Sequence, residues 1–154
     1  MSCCFFGHKD APSEIQESLT EEIRQLIVHH NVSTFYVGNQ GNFDSMALRA
    51  LRKLSEEYSV LYRVILAYLP ENDTSLQSVL SSETVYPEGI EKVPKQYAIS
   101  WRNDWMLRRS QFIIAYVLHD FGGASTFVRK ATRQGKKIIN LAHEGKEAAA
   151  SQMP

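Results

Sequence analysis

The sequence predicts an α/β fold: a three-layer, open parallel sheet of about five strands with helices on both faces. Two features carry that expectation. Short runs that are apolar at consecutive positions alternate with longer stretches of helical periodicity, the pattern of strands covered on both faces. Three of those runs lead into glycine, at Gly7, Gly38 and Gly122-Gly123. In sheets of this kind ligands bind beyond the carboxyl ends of the strands, where the strand order reverses.

The first strand is "CCFFG" (3–7). Ser13 and Gln16 then have the spacing of a capping box, Ile15, Leu19, Ile23, Leu26 and Ile27 mark one helical face, and Asn31 is a plausible stop. "TFYVG" (34–38) is the second strand. Phe43, Met46, Ala47, Ala50, Leu51 and Leu54 follow at spacings of one, three and four, one helix face. "LYRVILAYL" (61–69) is the third strand, closed by Pro70.

From 70 to 97 the character changes. Pro70, Pro87 and Pro94 punctuate a polar stretch with one short helical segment at 75–81, and a loop of this length in a small domain reads as a lid, a binding loop or disorder. Regular structure resumes with a helix at 98–109, a strand at 112–118, a helix at 124–134 and a last strand at 137–142. Residues 1–142 are therefore expected to form a single domain, and 143–154, which lack an apolar stripe, a flexible tail.

Lys plus Arg and Asp plus Glu both count 17, so the net charge is zero, which argues against nucleic acid or an anionic membrane as the main partner. Cys3 and Cys4 are the only cysteines. As strand neighbours they point to opposite faces, so no disulfide framework is expected. With no basic-flanked apolar leader and no run near the ~20 residues of a membrane helix, a cytoplasmic location is expected.

"GGAST" (122–126) is the most informative stretch. A strand, two glycines and a helix start bring free backbone N–H groups and the positive end of a helix dipole to one point, which suits phosphate. Ser125 and Thr126 add hydroxyls; the alternative is a tight turn with Ser125 as an ordinary cap. Three glycine-bearing strand ends favour the phosphate reading. His8 and Lys9 follow the first strand and either approach a ligand or form a polar turn. Ala98, Trp101 and Trp105 form one helical stripe suited to a core or an oligomer interface. Arg102 lies beside it, open to a surface salt bridge or a ligand contact. Arg129, Lys130, Arg133, Lys136 and Lys137 read as a solvated basic face. No set of residues has metal-ligand spacing, and no cofactor is expected.

Taken together, "CCFFGHKD", "FYVGNQGNFD", "WRNDWMLRRSQFIIAYV", "FGGASTFVRKA" and "GKKIINL" resemble the SLOG superfamily. This is the Rossmann-like group of the LOG phosphoribohydrolases, the YpsA-like proteins and the Rossmann domain of DprA, and the resemblance runs from about residue 3 to residue 142. LOG enzymes carry an Arg-Lys pair, a Met four residues after that Arg, a strand, and Pro-Gly-Gly-x-Gly-Thr-x-x-Glu. Arg102 and Met106 match the Arg and Met, Gly122 and Gly123 the glycine pair, and Thr126 the Thr. Phe121 replaces the Pro, Ser125 the third Gly, and Arg129 stands where the catalytic Glu belongs. Gly41-Asn42-Phe43-Asp44 replaces the Gly-x-Asp of other members, with Asp44 a candidate ribose ligand.

The resemblance implies a retained phosphate cradle without the hydrolytic carboxylate, since an arginine cannot act as a carboxylate base. The leading expectation is a module that binds a nucleotide or nucleotide-derived phosphorylated molecule rather than an enzyme. Gly122, Gly123, Ser125 and Thr126 would hold phosphate, Gly7, His8, Gly38, Asn39 and Gly41 would line the pocket, and Arg102 would contact the ligand. Loss of Arg102 is then expected to weaken binding with little effect on stability. The alternative is a LOG-like phosphoribohydrolase with a substitute carboxylate at Glu83, Glu88, Glu91 or Asp44. DprA-like DNA binding through the basic helix ranks third. By analogy with LOG proteins, the tryptophans make a homodimer plausible.

Overall fold

The computed structural model describes residues 1–69 and 83–142; the short helix expected at 75–81 and the tail expected at 143–154 lie outside them. Ten elements follow in chain order: β1 (Ser2–Gly7), α1 (Gln16–His30), β2 (Thr34–Val37), α2 (Asn42–Leu54), β3 (Leu61–Ile65), β4 (Thr84–Val85), α3 (Ala98–Arg108), β5 (Phe112–Tyr116), α4 (Gly123–Arg133) and β6 (Lys137–Asn140). The strands form one parallel sheet in the order β4-β3-β2-β1-β5-β6. The chain works outward from β1 in one direction and then returns to β5 on its other side. The order reverses between β1 and β5, and the crevice beyond their carboxyl ends is where such sheets take ligands.

The period-two alternation of strands separates two cores. Cys3, Phe5, Phe35, Val37 and Ile114 face α1 and α2, whose buried residues include Leu19, Ile23, Phe43, Met46 and Leu51. Cys4, Phe6, Ile113 and Ala115 face the other way, against Met106 and Leu107 of α3 and Phe127 and Ala131 of α4. Cys3 and Cys4 are thus in different cores, both free and buried. Burial pushes the Cys4 thiol up to about 12, which makes it a poor nucleophile.

Several boundaries differ from expectation: β5 ends at Tyr116, not at 118, and β6 at Asn140, not at 142, and three further differences lie in the first half of the chain and at β4. Ser13 and Gln16 form no capping box: Pro12 leads into a 3-10 turn at Ser13–Ile15 without a side-chain cap, and Gln16 Nε2 donates to the Met46 carbonyl of α2 at 3.0 Å. β3 ends at Ile65, not at 69. The stretch read as irregular contributes β4, a two-residue edge strand anchored by Glu83, which accepts from Arg52 Nη2 at 2.7 Å and from Tyr62 Oη at 2.9 Å. Asn31 ends α1 as expected, in the left-handed conformation at φ 55°.

Gly7, the last residue of β1, faces the ring of Phe43: a β-carbon at this position would lie 2.2 Å from Phe43 Cγ. Phe43 is fully buried and cannot retreat. Gly7→Ala should therefore cost roughly 1–3 kcal/mol through overpacking, read as a lower urea midpoint with an unchanged slope.

Candidate functional site

A cavity of about 260 Å³ opens at the β1/β5 switch point, lined by Gly7, His8, Asp44, Arg102, Gly123 and Ala124 among others. The turn that shapes it centres on Gly122, which precedes α4 with φ 95° and ψ 172°, a conformation that residues with a β-carbon rarely adopt. It turns the chain so that the first residues of α4 reach the cavity wall. The leading N–H groups of a helix have no carbonyl partner within it and carry its positive pole.

Arg102 enters from α3. It is 2% exposed, a guanidinium buried against the sheet. Nη1 donates to the Ile65 carbonyl at 2.9 Å and Nε to Asn103 Oδ1 at 2.9 Å. Among the described residues, no carboxylate lies within ion-pair distance of it and Nη2 has no hydrogen bond. Burial lowers its pKa, with the charge of Asp44 the main opposing influence, yet a guanidinium stays protonated in proteins. A buried, permanently charged cation facing a cavity is the strongest chemical feature of the molecule.

Asp44 stands in the first turn of α2 and is 9% exposed. Its Oδ2 accepts from the Gln40 N–H at 2.9 Å. Burial pushes the carboxyl up to about 6, against the pull of the Gln40 N–H and of Arg102. The folded state thus holds a proton that the unfolded chain releases near its ordinary 3.8. Stability should fall as pH rises from about 4 to about 6 and then level off, by up to roughly 3 kcal/mol. Asp44→Asn should remove that slope, measured as urea unfolding across this range.

The structure separates the other sequence-predicted site residues. Gly38 lies behind the two charges: a β-carbon there would sit 2.7 Å from both Arg102 Nη1 and Asp44 Oδ2. Gly41, at φ 92°, starts α2 and packs against Lys9, where a β-carbon would come within 2.6 Å of Cα. Asn39 is exposed, and neither it nor Gly41 lines the cavity. Ser125 Oγ and Thr126 Oγ1 donate to the Gly122 carbonyl at 3.2 and 3.0 Å, so both hydroxyls brace the turn.

Arg129 lies across that turn. Its Nη1 donates to the Asp120 carbonyl at 2.7 Å, and Nη2 is 3.4 Å from Thr126 Oγ1. Of the four substitute carboxylates, Asp44 alone lines the cavity. Glu83 is engaged by Arg52 and Tyr62, and Glu91 accepts the Gly89 N–H at 3.0 Å. Lys130 of the basic run pairs with Asp104, tying α4 to α3. Sequence reasoning missed Gln40 and Asn103, whose positions beside Asp44 and Arg102 were the available signal.

The sheet order and the crevice at its switch point define a Rossmann-like α/β domain. No protein-family model matches the chain, and no curated protein is significantly similar to it. Among solved structures, the chain is similar to DNA processing protein A (DprA) from Streptococcus pneumoniae, with a TM-score of 0.63 and 14% identity. The likeness covers 89% of this chain and 48% of that one, so the chain spans about half the length of DprA. At that identity it speaks for the fold. No described helix is long and apolar enough to cross a membrane.

Proposed function

We propose that this is a SLOG-type domain that binds a nucleotide or nucleotide-derived phosphorylated small molecule, with the phosphate between the start of α4 and Arg102. The observation that carries this reading is the buried Arg102 guanidinium, which faces the switch-point cavity with no carboxylate at ion-pair distance among the described residues. A buried charge is costly unless compensated; Asp44 offsets it in part from beyond ion-pair distance, and a bound phosphate would supply the remaining counter-charge and accept from the guanidinium. Gly123 and Ala124 contribute the amide end of a helix. By the resemblance to LOG enzymes, Arg129 stands where they carry a carboxylate, and its guanidinium lies across the same turn.

The test is calorimetric titration of the full chain with AMP, ribose 5-phosphate and adenosine. Both phosphorylated compounds should bind, and adenosine should bind at least tenfold more weakly than AMP. Equal affinity for AMP and adenosine would remove the phosphate from the account.

A second reading has one specific observation in its favour. Asp44, a cavity carboxyl raised to about 6, is suited to proton transfer. A LOG-like cleavage of the N-glycosidic bond would release free base from nucleoside monophosphates, with a rate that turns near pH 6 and is lost in Asp44→Asn. We expect negligible release, because Asp44 is a partly engaged carboxylate and Arg129 holds the position of the family's Glu. Turnover of about 1 per second or more would establish the enzyme instead.

A further inference from the structure

We infer that Phe121 is a stacking platform for the base of a nucleotide whose phosphate lies between the start of α4 and Arg102; the inference rests on the phosphate reading above. Phe121 is 71% exposed, which by itself is ordinary for a lone apolar residue. What distinguishes it is how it is held. Its ring lies 3.8 Å from that of His119 at an interplanar angle of 11°, and His119 lies 4.0 Å from His8 at 17°. Three nearly parallel rings therefore pile up from His8, at the carboxyl end of β1.

The base of the pile is fixed. His8 Nε2 accepts the Leu118 N–H at 2.9 Å, which places the ring proton on Nδ1, and the Tyr116 ring stands nearly perpendicular to it at 6.2 Å. His119 Nδ1 is 3.0 Å from the Phe121 carbonyl. An aromatic ring already held in place loses little freedom when a second ring is laid on it. One face of Phe121 is covered by His119, and its large exposure belongs to the other.

Position selects the occupant. The pile starts at His8, which lines the switch-point cavity, and ends outside that lining at Phe121, the residue immediately before Gly122. A nucleoside monophosphate carries a planar π-face at one end and a phosphate at the other, matching an aromatic platform beside an amide-lined turn. Of the other exposed residues of this loop, Asp120, Gly122 and Gly123 carry no apolar side chain and Leu118, 50% exposed, is one large apolar neighbour, which falls short of the continuous patch a protein partner needs. Stacking is tolerant of base identity, because every base presents a π-face. Phe121 thus confers a preference for nucleotides over sugar phosphates without choosing among bases.

The experiment titrates the full chain with AMP, GMP, CMP, UMP and ribose 5-phosphate, using wild type, Phe121→Ala and Phe121→Trp. The wild type should bind the four nucleotides roughly five- to a hundredfold more tightly than ribose 5-phosphate. Phe121→Ala should reduce nucleotide affinity to the sugar-phosphate level. Phe121→Trp should keep the preference, and its additional indole fluorescence should be quenched by nucleotide but not by ribose 5-phosphate. Circular dichroism of each variant verifies the fold. A wild type that shows no preference, or a preference that survives in Phe121→Ala, overturns the stacking role while leaving the phosphate reading intact. If ribose 5-phosphate does not bind at all, the phosphate reading falls, and adenosine binding that is insensitive to Phe121→Ala would then overturn the stacking role too.

Discussion

Arg102→Ala should lose roughly ten- to a hundredfold in affinity for ribose 5-phosphate and lose stability as well. The affinity loss follows from removing one charge-assisted contact, worth about 1.5–3 kcal/mol. The stability loss follows from the burial of the side chain. Arg102 donates to the Ile65 carbonyl at 2.9 Å and is the cation whose charge lowers the Asp44 carboxyl. Removing it leaves a carbonyl without that donor, an acid without its cation and a void between α3 and the sheet, at a cost of about 1–3 kcal/mol. This differs from the expectation drawn from sequence, in which loss of Arg102 left stability nearly unchanged. Arg102→Lys separates the two effects: it keeps the charge but not the planar fork, so it should recover part of the affinity. Wild-type affinity in Arg102→Ala, with a lowered urea midpoint, would make the arginine a purely structural residue.

Gly123→Glu should fold and should abolish detectable binding of ribose 5-phosphate. A β-carbon at Gly123 would meet no atom within 4 Å, and the position is exposed at the first turn of α4. A glutamate there is favoured by the helix dipole, so stability should be unchanged or slightly higher. The same carboxylate stands where the phosphate should lie, and like charges repel. Gly123→Ala is the control, with a small effect on binding. Gly122→Ala behaves differently: there the backbone has φ 95°, so a β-carbon should cost about 1 kcal/mol or more. Undiminished binding by a folded Gly123→Glu would show that α4 does not hold the anion.

The layered fold was readable because its pattern is strong: consecutive apolar residues such as Cys3-Cys4, Phe5-Phe6 and Ile113-Ile114 send alternate side chains into two cores. β4 was not readable, since two residues carry no period and its anchorage comes from Glu83 contacting Arg52 and Tyr62, distant in sequence. The glycines were legible as a group but not one by one. Gly7 and Gly38 make room for Phe43 and for the Arg102 and Asp44 side chains, so packing within the protein already accounts for them. In the Gly-Gly pair it is Gly122 that needs the unusual backbone. The burial of Arg102 and the raised carboxyl of Asp44 depend on α2, α3 and β3 meeting at one place, which no local pattern encodes. The ring pile escaped notice for the same reason, His8 and His119 being 111 residues apart.

The central claim is that an anion is held at the switch point by the start of α4 and Arg102. Amide-resolved NMR of the isotopically labelled full chain, titrated with ribose 5-phosphate, tests it most directly. The account predicts saturable shifts concentrated at the Gly123 and Ala124 amides and the Arg102 Nε–H, with smaller ones at Gly7 and His8, and their loss in Gly123→Glu. Saturable shifts centred elsewhere, or no shifts at millimolar ligand, would contradict it.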